Sequence, residues 1–258
     1  MLLHSFILPI PAAAGLADQV GATFALMVDE FLKAFPPVEG LVVAVEGDRL
    51  YMDLSEKDEI RQGQEFTVFR KGEVFRHPLT GKPLGRYEDS LGYAQVLRVF
   101  PAYSEARYIP LDGKPRPRPE DGVRITRGRI RVAVAPVLDL TKATADLRRV
   151  PYMIAVALER TKRFEVGDPQ KVADLLATEG VRVEVLLISP NKVISVLRTL
   201  EVAGSVVPVL LTRGGVTSLD VTWISAITGT ALFSKRRPLA RPEPAEEQRF
   251  PWEPRAVD

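Results

Sequence analysis

A chain of 258 residues, 46% hydrophobic and 26% charged, is long enough for two modest domains and is not of disordered composition. Its net charge of +2 argues little for nucleic acid by itself. With no cysteine, disulfides, thiolate nucleophiles, iron–sulfur clusters, cysteine zinc sites and a lipidated N-terminal Cys are all excluded, and two histidines, His4 and His77, are too few for a His-rich metal site.

Residues 1–15 end in Ala12-Ala13-Ala14-Gly15 and look like the apolar and cleavage parts of an export signal without its basic start. The segment reads equally as a truncated signal or as an apolar lead packed on the domain. Pro9 and Pro11 break it too early for a membrane-spanning helix. Residues 16–37 predict an amphipathic helix. Leu16, Val20, Phe24, Met27, Val28, Phe31 and Phe35 recur at helical spacing, and Pro36-Pro37 stops it. Such a stripe is expected to dock on the chain's own core.

Residues 38–127 read as β-structure. Leu50, Met52 and Leu54 alternate with Tyr51 and Asp53, and Gly47-Asp48 sits at hairpin spacing. Lys71-Gly72 is a second turn candidate. Gly63, Gly81, Gly85 and Gly92 punctuate the rest, which predicts a small closed or half-closed barrel. Residues 112–120 form a Pro/Arg loop before a final strand at Val123-Arg124-Ile125.

Residues 128–237 predict a mixed α/β domain. Strands are expected at Ile130 to Val134, running on to Leu138, at Arg163 to Val166, at Val181 to Ile188, and at Val206 to Leu211. Two more close a meander at Ser218 to Ala226 and Ala231 to Phe233. Helices carry Tyr152, Met153, Val156 and Ala157, then Val172, Leu175 and Leu176 behind an Asp168 cap with Pro169 next, then Val193 to Leu200 with Asn191 as cap and Gly204 as stop. Residues 238–258 have the composition of a disordered tail, with Phe250 and Trp252 as a candidate docking motif. The fold class is thus α+β or α/β: an N-terminal amphipathic helix, a small SH3- or OB-like β-barrel, then a mixed-sheet α/β sandwich.

The β-region resembles the C-terminal domain of flagellar assembly protein T. The resemblance rests on Gly40, Val42, Val45, Gly63, Phe66, Val68 and Arg70, then Pro78, Thr80, Gly81, Leu84 and Gly85, then Gly92, Val96, Ser104 and Ala106. The departures are His77, where that family usually has Asp, and Lys82, where an acidic residue is common. The α/β region is similar to the curli assembly component G family and to the amino-terminal domain of Tol-system protein B. There the carriers are Val132-Ala133-Val134-Ala135-Pro136, Arg163-Phe164-Glu165-Val166, and Ile227-Thr228-Gly229-Thr230-Ala231-Leu232. These resemblances imply a periplasmic, non-enzymatic assembly or scaffolding protein that binds protein partners in the cell envelope, with self-assembly left open. The residues implied to meet a partner are Arg70, Arg76, His77, Lys82, Arg86, Arg116, Arg118 and Trp252.

The residues themselves recommend no reaction. There is no Gly-x-Ser-x-Gly elbow and no phosphate-binding loop; Thr80-Gly81-Lys82 lacks the upstream glycine and the following helix. No cofactor is expected. The alternative reading is a cytoplasmic module whose barrel contacts single-stranded nucleic acid, since Arg70, Lys71, Phe75, Arg76, Lys82, Arg86 and Tyr87 surround one hairpin. Glu56, Asp58, Glu59, Glu88 and Asp89 are interspersed, which fits a solvated surface better.

Overall fold

A computed structural model describes residues 15–141 and 145–239. The export-signal and tail readings, Trp252 included, therefore lie outside the described residues apart from Gly15, Pro238 and Leu239.

The barrel is closed. Strands β1 (Val38–Glu46), β2 (Arg49–Met52), β3 (Glu65–Arg76), β4 (Pro83–Val99), β5 (Ser104–Pro110) and β6 (Gly122–Ile125) pair in the order β1-β2-β5-β4-β3-β6, with β6 returning to β1. Alternate residues point inward, and Val42, Leu50, Met52, Phe66, Val68, Ala94, Val96 and Val123 fill the interior. The Gly47-Asp48 turn is where the sequence places it, with Gly47 at φ +63°. Lys71-Gly72 is no turn. It lies inside β3, and the irregular spacing becomes a bulge between Lys71 and Val74 because both flanks keep pairing with β4.

The second sheet runs β12-β11-β10-β7-β9: β7 (Ile130–Val134), β9 (Phe164–Val166), β10 (Gly204–Arg213), β11 (Val216–Ser225) and β12 (Ala231–Pro238), with short β8 (Leu138–Asp139) also on β10. It is buried on both faces where helices cover it, which is why β7 and β10 read as nearly continuous apolar runs. Val132, Val134, Val206, Leu210, Val221 and Trp223 face one core, and Ala133, Ala135, Val207 and Val209 the other. Helices α4 (Pro169–Thr178), α5 (Val183–Ile188) and α6 (Pro190–Thr199) supply the second core through Val172, Leu176, Leu186, Val193, Val196 and Leu197. Asp168 caps α4 as expected, accepting from the Gln170 N–H at 2.9 Å.

Five further local expectations are corrected. Residues 16–35 form two helices, α1 (Leu16–Ala25) and α2 (Val28–Ala34), because the chain turns at Leu26, 60% exposed, to swing Met27 and Phe31 into the core. Val181 to Ile188 is not a strand but mostly α5; a short apolar run suits either state, and β10 already holds the sheet position beside β7. Helix α3 (Val150–Arg160) buries Val150, Ile154, Ala155 and Leu158 and leaves Tyr152 and Val156 exposed, while Met153 packs on Gly21 of α1. In α6 the cap position is Ser189, with no side-chain bond, rather than Asn191. Gly204 opens β10 instead of stopping the helix, since any Cβ there would strike Trp223.

Helices α1 and α2 precede the barrel in sequence yet pack on the α/β domain. Phe24 and Phe31 are fully buried, Phe31 meets Phe233 edge-on at 4.8 Å, and Phe35 packs on Trp223 at 4.3 Å. Aromatic burial of this kind contributes roughly 1.5–3 kcal/mol per ring. The chain therefore starts in the α/β layer, leaves to build the barrel, and returns. Where it crosses, Arg163 donates to the carbonyls of both Phe35 (3.0 Å) and Gly128 (2.6 Å). Nearby Gln64 of the barrel side donates to the Ala34 carbonyl at 3.1 Å.

Candidate functional site

Strands β3 and β4 are longer than the barrel needs. Beyond Phe69, which pairs with Gly122 of β6, and before Gly92, which pairs with Pro110 of β5, the two strands pair only with each other. Residues 70–90 thus leave the barrel as a two-stranded ribbon, roughly 20 Å long at the usual strand rise.

The ribbon has two halves of different chemistry. At its root most charges are paired: Lys71 with Glu39 (2.9 Å), Arg124 with Glu88 (2.7 Å) and Lys114 with Asp89 (3.5 Å), while Glu73 is exposed with no ion pair among the described residues. Lys71 lowers the Glu39 carboxyl below its ordinary value. In the outer half, residues 74–87, there is no acidic residue, and Arg76, Lys82 and Arg86 have no ion-pair partner among the described residues. Arg76 and Arg86 instead brace the ribbon through the carbonyls of Gly81 (3.1 Å) and Gly72 (3.2 Å). Val74, Phe75, Leu79, Leu84 and Tyr87 are all exposed, Leu79 at 89%. Phe75 and Tyr87 contact each other at 5.2 Å, and Gly85 is needed because a Cβ there would meet the Phe75 ring at 2.9 Å.

The apex is built around His77. Its Nδ1 accepts from the backbone N–H of Leu79 (3.2 Å) and Thr80 (3.3 Å), and its own N–H donates to the Lys82 carbonyl (2.9 Å). Gly81, at φ +67°, donates to the His77 carbonyl at 2.9 Å, and Lys82 N–H to Thr80 Oγ1 at 3.4 Å. An Asp carboxylate at this position could accept the same two bonds. The His77 ring thus serves the turn as a hydrogen-bond acceptor through Nδ1.

The structure brings Arg76, His77, Lys82 and Arg86 together on the outer ribbon and places Arg70, Arg116 and Arg118 elsewhere. Arg70 is a fold staple: its Nε and Nη2 donate to Asp121 at 2.8 and 2.7 Å, which raises the guanidinium above its ordinary value. Its Nη2 also reaches the Arg116 carbonyl at 3.1 Å. The Pro/Arg loop is anchored rather than free: Arg116 donates to the Gly47 carbonyl (3.3 Å), Pro117 is buried, and the Arg118 N–H donates to Asp121 (2.8 Å). The sequence points to the loop from His77 to Arg86, which contains Leu79 and Leu84, without singling out those apolar side chains, and leaves out Val74. The available signal was the run from 74 to 87 in which apolar residues and cations alternate without a single carboxylate.

The barrel wall offers less to a nucleic-acid strand. Arg49 and Arg98 flank Tyr51, Phe100 and Tyr103, but both clamp the buried carboxylate of Glu105, at 2.8 and 2.6 Å. That one carboxylate offsets one of the two charges and fixes both guanidiniums in place.

Two further cavities lie off the barrel. A cleft of about 210 Å³ at the junction of barrel and sheet is lined by Phe35, Glu65, Arg129 and Trp223 among others. Burial raises the Glu65 carboxyl above its ordinary value, against the pull of hydroxyl bonds from Ser225 and Thr228. On the outer sheet face a groove of about 460 Å³ runs between apolar Leu140, Leu187 and Leu211 and the polar set Asp220, Thr222, Ser234 and Arg236. Among the described residues no cluster of three potential metal ligands occurs, and no helix is long and apolar enough to cross a membrane.

No family model matches the chain. An uncharacterized protein of Aquifex aeolicus is 31% identical over 107 residues, which is 42% of this chain and 21% of that protein, so the chain spans about a fifth of the relative's length. Among solved structures, the LpoB C-terminal domain from Escherichia coli superposes with a TM-score of 0.36 at 14% identity, covering 43% of this chain and 82% of that one. The solution structure of Escherichia coli LpoB gives 0.39 at 12% identity over 45% of this chain and 59% of that one. A lipoprotein from Neisseria meningitidis gives 0.36 at 13% identity over 43% of this chain and 79% of that one.

Proposed function

We propose that this chain is a non-enzymatic scaffolding protein of the bacterial envelope that holds protein partners. The observation that carries the reading is the groove on the outer sheet face, where Leu140, Leu187 and Leu211 stand open near the β12 edge; the outer ribbon adds five exposed apolar side chains on an element braced by its own hydrogen bonds. Apolar surface held out in this way is left for another body to cover. The resemblance of residues 38–127 to a flagellar assembly module, and of residues 128–237 to envelope assembly domains, supports the same reading.

The groove on the outer sheet face is the main docking surface. It pairs an apolar wall with a satisfied polar wall, in which Arg236 holds Asp220 at 2.7 Å and Ser234 holds Thr222 at 3.0 Å. Strand β12 forms the adjacent sheet edge, where an extended partner segment could add a strand.

Photo-crosslinkers placed at Leu187 and Leu211 in the native cell test this reading. A discrete protein adduct at both positions, absent from a control crosslinker at Tyr152 on the other side of the domain, is expected. Equal or absent crosslinking at all three positions would remove the groove from the scheme. Fractionation with N-terminal sequencing of the mature protein tests location: a cytoplasmic product would overturn the envelope assignment.

A further inference from the structure

We infer that the outer half of the β3–β4 ribbon docks on an anionic lipid surface, so that the scaffold is held at a membrane by its barrel while its α/β domain engages protein. The inference rests on the scaffolding reading and names what the ribbon itself touches.

Three observations favour lipid over a protein surface. The first is that the apolar groups are not confined to one side. Val74 pairs with Arg86 and Phe75 with Gly85, and consecutive strand residues point to opposite faces. Phe75 and Tyr87 thus share one face while Val74, Leu84 and Arg86 share the other, and Leu79 stands at the apex. A protein partner of ordinary flatness covers one face of a ribbon; a medium that surrounds the tip covers both.

The second is the hydrogen-bond state of the apex. In residues 77–83 each backbone N–H is already used within the turn: those of His77, Leu79, Thr80, Gly81 and Lys82 all donate locally, and Pro78 and Pro83 have none. Such a turn offers no backbone donor to a protein partner. The used donors remove the N–H share of the cost of meeting a low-dielectric boundary, where a free N–H cannot be hydrated.

The third is the charge arrangement. Arg76, Lys82 and Arg86 flank the apolar tip, long enough to keep their charges among headgroups while their stems lie in apolar surroundings. Tyr87 has the amphipathic ring that suits the same boundary. No carboxylate occurs between residues 74 and 87 to oppose an anionic surface. Because the tip is exposed and braced internally, the protein does not have to unfold to bind.

The test is co-sedimentation of the full chain with phosphatidylglycerol–phosphatidylcholine vesicles and with pure phosphatidylcholine vesicles, at low and high salt. Binding to the anionic vesicles alone, weakened by salt, is expected. Neutralising the three cations as R76Q/K82Q/R86Q should cut partitioning on the order of a hundredfold, given the usual contribution of each cation near an anionic surface. Leu79→Asp should cut it at least tenfold by placing a charge at the apex. Leu79 is exposed and braces nothing, so Leu79→Asp should match wild type in circular dichroism and melting temperature. The triple variant also gives up the Arg76 and Arg86 bonds to the Gly81 and Gly72 carbonyls, so its loss of binding counts only alongside that of Leu79→Asp. Placing a fluorophore at position 79 gives an independent readout: a blue shift on anionic vesicles is expected. Failure of the wild-type chain to bind anionic vesicles, or undiminished binding by both variants, overturns the inference. Should vesicle binding fail while a ribbon crosslinker captures an acidic protein, the lipid assignment falls and the scaffolding reading stands. Should vesicle binding hold while the groove crosslinks nothing, the scaffolding reading falls instead.

Discussion

The carboxylate of Glu65, on barrel strand β3, accepts a 2.6 Å hydrogen bond from Ser225 Oγ at the end of sheet strand β11, 160 residues away in the chain. A second bond, 2.9 Å from Thr228 Oγ1, completes a clamp between the two domains. Burial raises this carboxyl, so the native state holds its proton more tightly than the unfolded chain does. The proton-linked stabilisation is present in full below the ordinary Glu value of about 4.3 and is lost as pH rises through the raised native value. Glu65→Gln should flatten the dependence of the urea midpoint on pH above the ordinary Glu value of about 4.3 and be no less stable at the alkaline end. A variant weaker than wild type at both ends, with the slope intact, would show that the charged form makes the clamp.

Arg163 should prove more costly to replace than its place just before the short strand β9 implies. It satisfies two crossing carbonyls at once, and burial lowers its guanidinium below its ordinary value. Arg163→Ala should destabilise by about 2–3 kcal/mol in urea unfolding, and Arg163→Lys should recover less than half, since an ammonium cannot reproduce the planar fork. Full recovery by Lys would mean that charge alone matters.

Removing the Pro/Arg loop, residues 114–119, should damage the fold rather than only a contact surface. The segment supplies the Arg116 carbonyl to Arg70 and contains buried Pro117. Arg70→Ala should likewise cost about 2–3 kcal/mol, because it strands the Asp121 carboxylate, 3% exposed, without its bidentate partner. An unchanged melting temperature for either change would contradict the staple assigned here.

At the ribbon apex, His77→Asp should preserve the turn and His77→Ala should loosen it, because only the former retains a side-chain acceptor for the Leu79 and Thr80 N–H groups. Amide exchange at those two positions checks this. Slowed exchange retained in the Ala variant would mean that the proline-flanked backbone holds itself.

The barrel was legible in sequence because its signals are local: the alternation from Leu50 to Leu54, the Gly47-Asp48 turn, and the glycine-rich hairpin all act within a few residues. The Asp168-Pro169 helix start was legible for the same reason. What escaped depends on partners distant in sequence. Whether residues 181–188 form a strand or a helix is decided by which sheet position β10 already holds, and whether Arg70 faces a partner or Asp121 is decided 51 residues away. The outer ribbon was half visible: its cations and aromatics stood out, but that both strands outrun the barrel follows only from where β5 and β6 end.

The barrel hangs between two chain crossings, one after α2 and one before β7, and a single guanidinium grips both. A domain joined by one linker swivels, whereas one joined by two adjacent segments, pinned together and latched again through Glu65, behaves as a lever arm. Pinned at Arg163 and latched at Glu65, the barrel has fewer ways to turn against the sheet than a single linker would allow.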